Sequence, residues 1–526
     1  MVLVHKGMGD LRYSFESRNM KFELSYHSFL LVLLVVVGVY TVLTMNGSTS
    51  FQLYRPTPAP DCTGEISRRG GIKTETPIGG SLSAAENLEA APAAAGALPL
   101  KARATDSPSP RTTLANIVFG LAAGSEVWDK RKGYIQAWWR PEMRGAVWLD
   151  KMVARSSEDN LPPLMVSEDT SRFNYTYSGQ PPSKRQKQQL RICRIAVEMF
   201  RLRLPDVHWF VVGDDDTVFL AENVARVLSK YDHTKFYYIG GISETHRQNT
   251  VDGCCTGNMA YGGAGYAISY PLVEELSEIL DECMERYADL YGGSSRIHAC
   301  LLELGVPLIK EPGFHQLDIN GDASGILGAH PIAPLLSLHH LDRIDPLFPG
   351  MSRQKSVEHL LQAAGVDPGG VLQQAVCYSK QQSWSIQVSW GWAVQVTRLL
   401  LAPRVLENPL RTFAGWGVPS LDESFGFRTR AVPRDSCERP TMFFMHTVVP
   451  QRNGQSFSNY SRGAASQCRR KDALSKINLI SVEKQAVHDS WYQAPRRQCC
   501  KIIKLSKHTL ELSIRTCQKG ELSAIL

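Results

Sequence analysis

The stretch "HWFVVGDDDTVFL", residues 208–220, sets an apolar run against three consecutive aspartates and then returns to apolar residues. A short apolar run that ends in turn-forming residues reads as a buried strand. Three carboxylates at its end repel one another, a cost that a cation or a hydrogen-bonded ligand must offset. Side chains alternate along an extended backbone, so Asp214 and Asp216 are expected on one side and Asp215 on the other. Two hard oxygen donors on one side suit Mg²⁺ or Mn²⁺, ions that keep positions open for water and substrate phosphates. The same residues also fit an acidic turn in which Asp216 caps the following helix.

Strands and helices alternate on both sides of this stretch. Upstream, "TTLANIVFGLAAG", "GAVWLD" and "LMVSED" are short apolar runs, and Ile192, Ile195, Ala196, Met199 and Phe200 recur at helical spacing between Lys184 and Arg203. Downstream, a helix is predicted over Ala221–Lys230, followed by the strand "FYYIGG". The pattern implies a layered α/β domain with a largely parallel sheet. Ligands of such sheets bind at the carboxyl ends of the strands, where the aspartates fall. Beyond Gln382 the texture becomes β-rich, as in "SWSIQVSWGWAVQV", "PTMFFMHTVV" and "LELSIRTC", which predicts a second unit packed on the first.

The 526-residue chain has an ordinary 43% hydrophobic content and a mild net charge of +7. It shows no basic, aromatic-interleaved patch, so nucleic acid is not an expected partner. "FLLVLLVVVGVYTVL", Phe29–Leu43, carries no charge and is preceded by Lys6, Arg12, Arg18 and Lys21, whereas the next base is Arg55. A leader of this length without an A-x-A site after the run favours an uncleaved anchor over a signal peptide. The charge asymmetry puts the N-terminus in the cytosol and the bulk in the lumen, as a single-pass type II protein, and so short a span suits early secretory membranes. The twelve cysteines all follow the anchor, where disulfides form; disulfide or free thiol is preferred over zinc for Cys254–Cys255 and Cys499–Cys500, since no CxxC or HxxxH accompanies either pair. Asn174 and Asn459 begin glycosylation sequons. The organisation expected is a cytosolic tail at 1–27, a transmembrane anchor at 28–45, a flexible Ala/Pro/Gly/Ser-rich stem at 46–111, an α/β domain at 112–380 and a β-rich, cysteine-containing region at 381–526.

Two further stretches bear on the aspartates. "AYGGAGYAIS", residues 260–269, is a glycine-rich link whose glycines allow close backbone approach to a ligand or simply make a turn. "SLHHLD", residues 337–342, offers paired histidines, and imidazole also suits Mn²⁺. Taken with "FGLAAGSEVWDKRKGYIQAWWRP", "WFVVGDDDTVF", "YYIGGISETHRQN", "MAYGGAGYAISYPL", "ELGVPLIKEPGFHQLDINGD" and "HPIAPLLSLHHLD", in that order, the chain resembles the inverting glycosyltransferases of family 31, in particular plant proteins related to Fringe.

That resemblance spans roughly residues 114–510. It implies a GT-A-like glycosyltransferase domain with a β-rich C-terminal extension behind a transmembrane helix, using a UDP-sugar donor and Mn²⁺ in the Golgi. Its acceptor would be a glycan or glycoprotein hydroxyl. The resemblance assigns the metal to Asp216 with His339, favoured over His340, and with Asp214; it assigns the water shell or ribose to Asp214 and Asp215, and the shaping of the donor and acceptor pocket to Gly262, Gly263 and Gly265. The Lys130–Lys132 run would lie near the nucleotide, where its default reading is a solvated helix face. One block departs from the pattern: "GGSSRI", residues 292–297, stands where family members usually read "GSDDRI". Ser294 and Ser295 thus hold the positions of the acidic pair that supplies the general base, and a hydroxyl is a poor base near neutral pH. A neighbouring acid, Asp289 or Glu285, is the expected substitute in an active enzyme, and Arg296 is placed to pair with a restored carboxylate. The alternative is a donor-binding, catalytically impaired homologue that acts as a binding or partner subunit of other glycosyltransferases.

Overall fold

A computed structural model describes residues 2–3, 12–17, 20–25, 111–156, 159–176, 184–252, 258–416, 425–463 and 468–524. The chain divides into two compact units, Met1–Ala97 and Leu98–Leu526. In the first, Arg12–Ser17 and Met20–Ser25 pair antiparallel, with Val2–Leu3 added at the edge. The anchor expected at 28–45 and all but the last residue of the stem expected at 46–111 lie outside the described residues. Among the described residues, no helix is long and apolar enough to cross a membrane.

The second unit is built on seven strands: β1 (Ile117–Ala123), β2 (Arg144–Leu149), β3 (Leu164–Val166), β4 (Trp209–Asp214), β5 (Tyr238–Gly240), β6 (Tyr266–Ser269) and β7 (Leu308–Lys310). Their order is β7-β5-β6-β4-β1-β2-β3. β1, β2, β3 and β4 run parallel, whereas β6 is antiparallel to both of its neighbours, so the sheet is mixed rather than wholly parallel. β1 sits where the connections reverse direction, between β2 on one side and β4 on the other, and crevices form at such switch points.

Every residue of β1 is buried, because both faces of the sheet are covered. Alternation along the strand divides the core. Val118 and Ala122 point toward helices α2 (Lys184–Arg201), α4 (Tyr270–Arg286) and α5 (Gly292–Glu303). Ile117, Phe119 and Leu121 point toward α1 (Trp128–Trp138), α3 (Ala221–Leu228) and the C-terminal region. α3 ends two residues earlier than expected, and its N-cap is Leu220, so Asp216 does not cap it.

The β-rich region forms an eight-stranded sheet in the order 374–379, 384–389, 393–397, 441–450, 455–462, 479–485, 509–515, 499–505. It begins at Gln374, ahead of the boundary expected at 380, and it shares one hydrophobic core with the first sheet: Ile386, Val394, Ile480 and Leu512 belong to the same cluster as Ile117 and Val211. Cys377–Cys500 joins the two edge strands of this sheet, and Cys499–Cys517 and Cys437–Cys468 tie down its loops. Cys283–Cys300 joins α4 to α5. Cys499 and Cys500 are therefore disulfide-bonded, while Cys62, Cys254 and Cys255 lie outside the described residues. Asn174 is exposed, whereas the Asn459 amide is tied to Thr447 and Ser481 within a strand.

Candidate functional site

β4 delivers the three aspartates beside the end of β1, with Ala122 opposite Asp214 in the ladder. The turn is pinned by its own backbone: Asp214 N–H donates to Thr217 Oγ1 at 2.7 Å, and that hydroxyl donates to Gly263 O at 2.7 Å. Trp138 Nε1 donates to Thr217 O at 3.1 Å, which fixes α1 to the same turn. Asp215 swings toward β1, accepting from Gly124 N–H at 3.2 Å and from Arg131 Nη1 at 2.8 Å. Asp214 and Asp216 turn instead toward His339, and ligand atoms of these three residues lie within 4.8 Å of one another.

Electrostatics separate the three acids. Asp216 is fully buried, with His339 Nε2 3.0 Å from one oxygen and Arg131 Nη2 3.1 Å from the other. Burial alone would raise its pKa, but the adjacent His339 and Arg131 outweigh burial and hold the carboxyl well below the usual range. Burial and then the charge of Asp214 push Asp215 up to about 7, against the pull of Arg131. Burial and then the charge of Asp216 raise Asp214 as well. His339 is raised because Asp216 overcomes the effect of burial.

These residues fit a divalent cation. The donors are carboxylate oxygens and one imidazole nitrogen, the set that Mn²⁺ accepts. Both Asp216 oxygens are buried yet make no hydrogen bond of good angle, despite the two close cationic neighbours. His339 Nδ1 lies 3.3 Å from Gln316 O, a contact that orients the ring with Nε2 toward Asp216. A Cβ on Gly263 would fall 2.1 Å from His339 Cε1, so a glycine is required for the ring to dock.

His340 goes elsewhere. With φ of 51°, it sits in the left-handed region and presents its ring to different partners from those of His339. Its Nδ1 lies 3.1 Å from Asp318 Oδ1, and its ring stacks on Trp416 at 4.3 Å. Burial, with the charge of His339 beside it, pushes its pKa down to about 4, so the ring is neutral at pH 7.

A cavity of about 600 Å³ opens in front of this cluster. Its walls include Gly124, Arg131, Arg191, Asp214, Asp215, Gly262, Gly263, Ser294, Ser295, Asp318, His339 and Trp416. Gly265, expected on this wall, is not there; it takes φ of 88° and packs its Cα beneath Phe219, where a Cβ would sit 2.6 Å from the ring. Asp289 and Glu285 are likewise absent from the wall, on which the carboxylates are Glu126, Asp214, Asp215 and Asp318. Ser294 Oγ accepts from Gly262 N–H at 3.0 Å, and Ser295 Oγ donates back to Tyr291 O at 2.6 Å. Arg296 turns away from the cavity to the carbonyls of Met284 and Ala288, at 3.2 and 3.0 Å, and so does not face Ser294.

Arg131 is the main residue that the sequence reading underrated. The Lys130–Lys132 run reads by default as a solvated face, and by resemblance as lying near the nucleotide; Trp128, Arg131, Ile135 and Trp138 follow one another at helical spacing on the inner side of α1. A cation in an apolar stripe was the available signal. Asp318, Arg191 and Trp416 carried no such signal.

Comparison with known proteins locates this site in a family context. Residues 169–321 match the family described as Fringe-like, and residues 252–500 match one described as a protein of unknown function, DUF604. The chain is 33% identical over 96 residues to the beta-1,3-N-acetylglucosaminyltransferase radical fringe of Xenopus laevis, covering 17% of this chain and 28% of the relative. It is 33% identical over 92 residues to the beta-1,3-N-acetylglucosaminyltransferase lunatic fringe of Xenopus laevis, covering 16% and 24%. The chain thus matches about a quarter of the length of these curated relatives.

Proposed function

Because the chain is a Fringe-related protein of glycosyltransferase family 31, we propose that it transfers a sugar from a UDP-sugar to a glycan or glycoprotein hydroxyl, with inversion and with Mn²⁺, in the Golgi lumen. The observation that carries this reading is the convergence of Asp214, Asp216 and His339 at the carboxyl end of a central strand, beside the cavity. A divalent cation held by these three residues would stabilise negative charge on a departing nucleoside diphosphate. Asp215, steered by Gly124 and Arg131, would meet the nucleotide ribose or the cation's water shell. Arg131 keeps the three acids from repelling one another apart, contacting two of them directly.

The anchor run at Phe29–Leu43, the four disulfides among the described residues and the exposed Asn174 sequon support a type II Golgi membrane protein with a lumenal catalytic domain. A glycan on Asn174 should shift on endoglycosidase treatment, and a protease-accessible C-terminus in intact microsomes would reverse the topology.

One observation favours a second reading. Ser294 accepts a hydrogen bond where a general base is wanted, and no free carboxylate of α5 faces the cavity. A protein that binds donor but transfers slowly would then serve as a binding or partner subunit for other glycosyltransferases. Calorimetric titration with UDP, with and without Mn²⁺, tests what both readings share. Turnover assays across UDP-sugars separate them. Equal UDP affinity with and without Mn²⁺ would sink the metal assignment.

A further inference from the structure

Charge is divided unevenly along the chain. Residues 381–526 carry 21 Lys and Arg against 10 Asp and Glu, whereas residues 1–380 carry 37 against 41. The mild net charge of the whole therefore hides a basic β-rich region attached to a slightly acidic remainder. Of the residues that line the cavity, only Trp416 belongs to this region, so the cavity does not account for the excess.

The register of the eight-stranded sheet shows where the excess gathers. The pairs Val396 with Thr441, Ser461 with Leu479, Leu479 with Thr509 and Leu505 with Leu510 all lie at one end of it. The connections 463–478 and 506–508 and the neighbouring strand tip bring Arg469, Arg470, Lys471, Lys476, Lys504 and Lys507 to that end, all exposed. Of the acids nearby, Asp472 is taken by Arg398 at 2.6 Å, and Asp435 lies 3.8 Å from Arg470. Glu438 and Glu511 form no ion pair with a described residue, and neither do Arg469, Lys471, Lys476, Lys504 and Lys507.

A run of cations is by default a solvated face. This one is held in place by its loops. Arg462 Nε donates to Ile477 O at 2.7 Å and another of its nitrogens donates to Leu474 O, which pins the turn that carries Lys476. Asn478 N–H donates to His508 O at 2.9 Å, and His508 Nδ1 donates to Lys476 O at 3.0 Å, which ties that turn to the one carrying Lys507. The Cys437–Cys468 disulfide fastens the chain next to Arg469. Cations fixed together repel one another and attract a partner of opposite charge. Guanidinium forks match carboxylates, and the lysines add point charges. In the lumenal orientation a lipid surface is the poorer match, because the strongly negative leaflet is the cytoplasmic one.

We propose that this end of the β-rich sheet binds an acidic polysaccharide through its carboxylates. This rests on the lumenal glycosyltransferase reading above and names the class of glycan that the chain would hold.

The test measures binding of the full chain, in neutral nanodiscs at low salt, to polygalacturonate, to its fully methyl-esterified form, to dextran sulfate and to anionic vesicles. Polygalacturonate should bind at least about 10-fold more tightly than the esterified chain, and added salt should erase the difference. Lys476→Glu with Lys507→Glu should weaken polygalacturonate by about 10-fold. Lys235→Glu with Lys310→Glu, exposed sites on the other sheet's side, should not. Both variants should keep the melting temperature and the UDP affinity of wild type. Equal binding of the free and esterified chains would overturn the assignment without any variant. So would equal losses in the two variants, which would make the attraction a matter of net charge alone, or tighter binding to dextran sulfate or anionic vesicles than to polygalacturonate. A chain that binds UDP with Mn²⁺ but no polygalacturonate would overturn this assignment alone. One that binds polygalacturonate but no nucleotide would overturn the transferase reading and uphold the basic end as a glycan-binding surface.

Discussion

At the end of β4, three carboxylates, a guanidinium and an imidazole are buried together, and each oxygen of Asp216 faces a cation without a well-aligned hydrogen bond. Across the same cavity, the first turn of α5 presents two hydroxyls already engaged with the main chain, Ser294 with Gly262 N–H and Ser295 with Tyr291 O. The first wall is charged, desolvated and incompletely satisfied, which is costly unless a ligand completes it. The second wall is neutral and close to self-sufficient, and it asks nothing of a ligand. The contrast locates the strong binding chemistry at the end of β4, the donor side under the proposed function, and leaves the α5 wall without an evident proton acceptor.

The contrast would be broken most directly at Asp216. Asp216→Ala removes a buried donor from the metal-fitting group and leaves His339 and Arg131 without their shared anion. Mn²⁺-dependent UDP binding should fall by more than about 100-fold in calorimetry, beyond the range expected for groups outside the metal's own ligands. Asp215→Asn should be milder, since Asp215 faces Gly124 and Arg131 rather than His339. If Asp216→Ala leaves the Mn²⁺ dependence intact, the two walls do not differ as described.

The second test sharpens the comparison from the other side. Ser294→Asp puts a carboxylate on the cavity wall at a position where Gly262 N–H already donates, and this should raise transfer to an acceptor by about 10²-fold, the low end of what a positioned base supplies. UDP affinity should hardly move. Ser295→Asp should not help: that side chain is 2% exposed and lies against Tyr291 O and Met259, where a carboxylate would be buried against a carbonyl oxygen and lower the melting temperature. A wild type that is already fast would show that another group acts as the base and that α5 does not mark its place.

Gly263→Ala comes third. The added Cβ would meet His339 Cε1 at 2.1 Å, so the ring must rotate away from Asp216. Overpacking of this kind costs about 1–3 kcal/mol. Metal affinity should drop by about 10-fold, as when the orientation of a ligand is disturbed. A variant with unchanged melting and unchanged Mn²⁺ affinity would show that His339 has room the geometry denies it.

How much of this was legible beforehand follows the distance over which each feature is determined. β4 and its acidic turn are contiguous, so residues 208–220 announce both the strand and the side-chain alternation that turns Asp215 one way and Asp216 the other. β1 and α2 were legible for the same reason, as unbroken or helically spaced apolar runs. The antiparallel direction of β6 was not, because direction is set by how the chain returns from β5 and not by "YAIS" itself. The stacking of His340 on Trp416 joins residues far apart in the chain through the packing of the β-rich region, and no local pattern encodes it. Arg131 lies between these cases: its place in the stripe of Trp128, Ile135 and Trp138 was visible, but which anion it would meet was not.

The smallest effect expected concerns acid, and it falls on a buried histidine of α5 that lies off the cavity wall. His298 lies on α5, 3% exposed, with Nδ1 buried and unbonded, and burial alone pushes its pKa from 6.5 down to about 4. Between those values the unfolded chain binds a proton that the folded chain refuses. Stability is therefore complete above about pH 6.5 and is lost as pH falls toward 4. The full shift would be worth about 3 kcal/mol, an upper bound because the structure can relax to admit water when the ring is protonated. Asp216 loses its contribution in the same direction, as pH falls, but its carboxyl is held low, so that contribution survives until pH falls much further. Melting temperature followed from pH 7 to pH 4 should thus decline in part through α5, and His298→Asn should reduce that decline while leaving the Mn²⁺ dependence of UDP binding at pH 7 unchanged. A decline of the same size in the variant would assign the acid sensitivity to other groups, such as His340 or the stacked pair His208 and His233, whose pKa values burial also lowers.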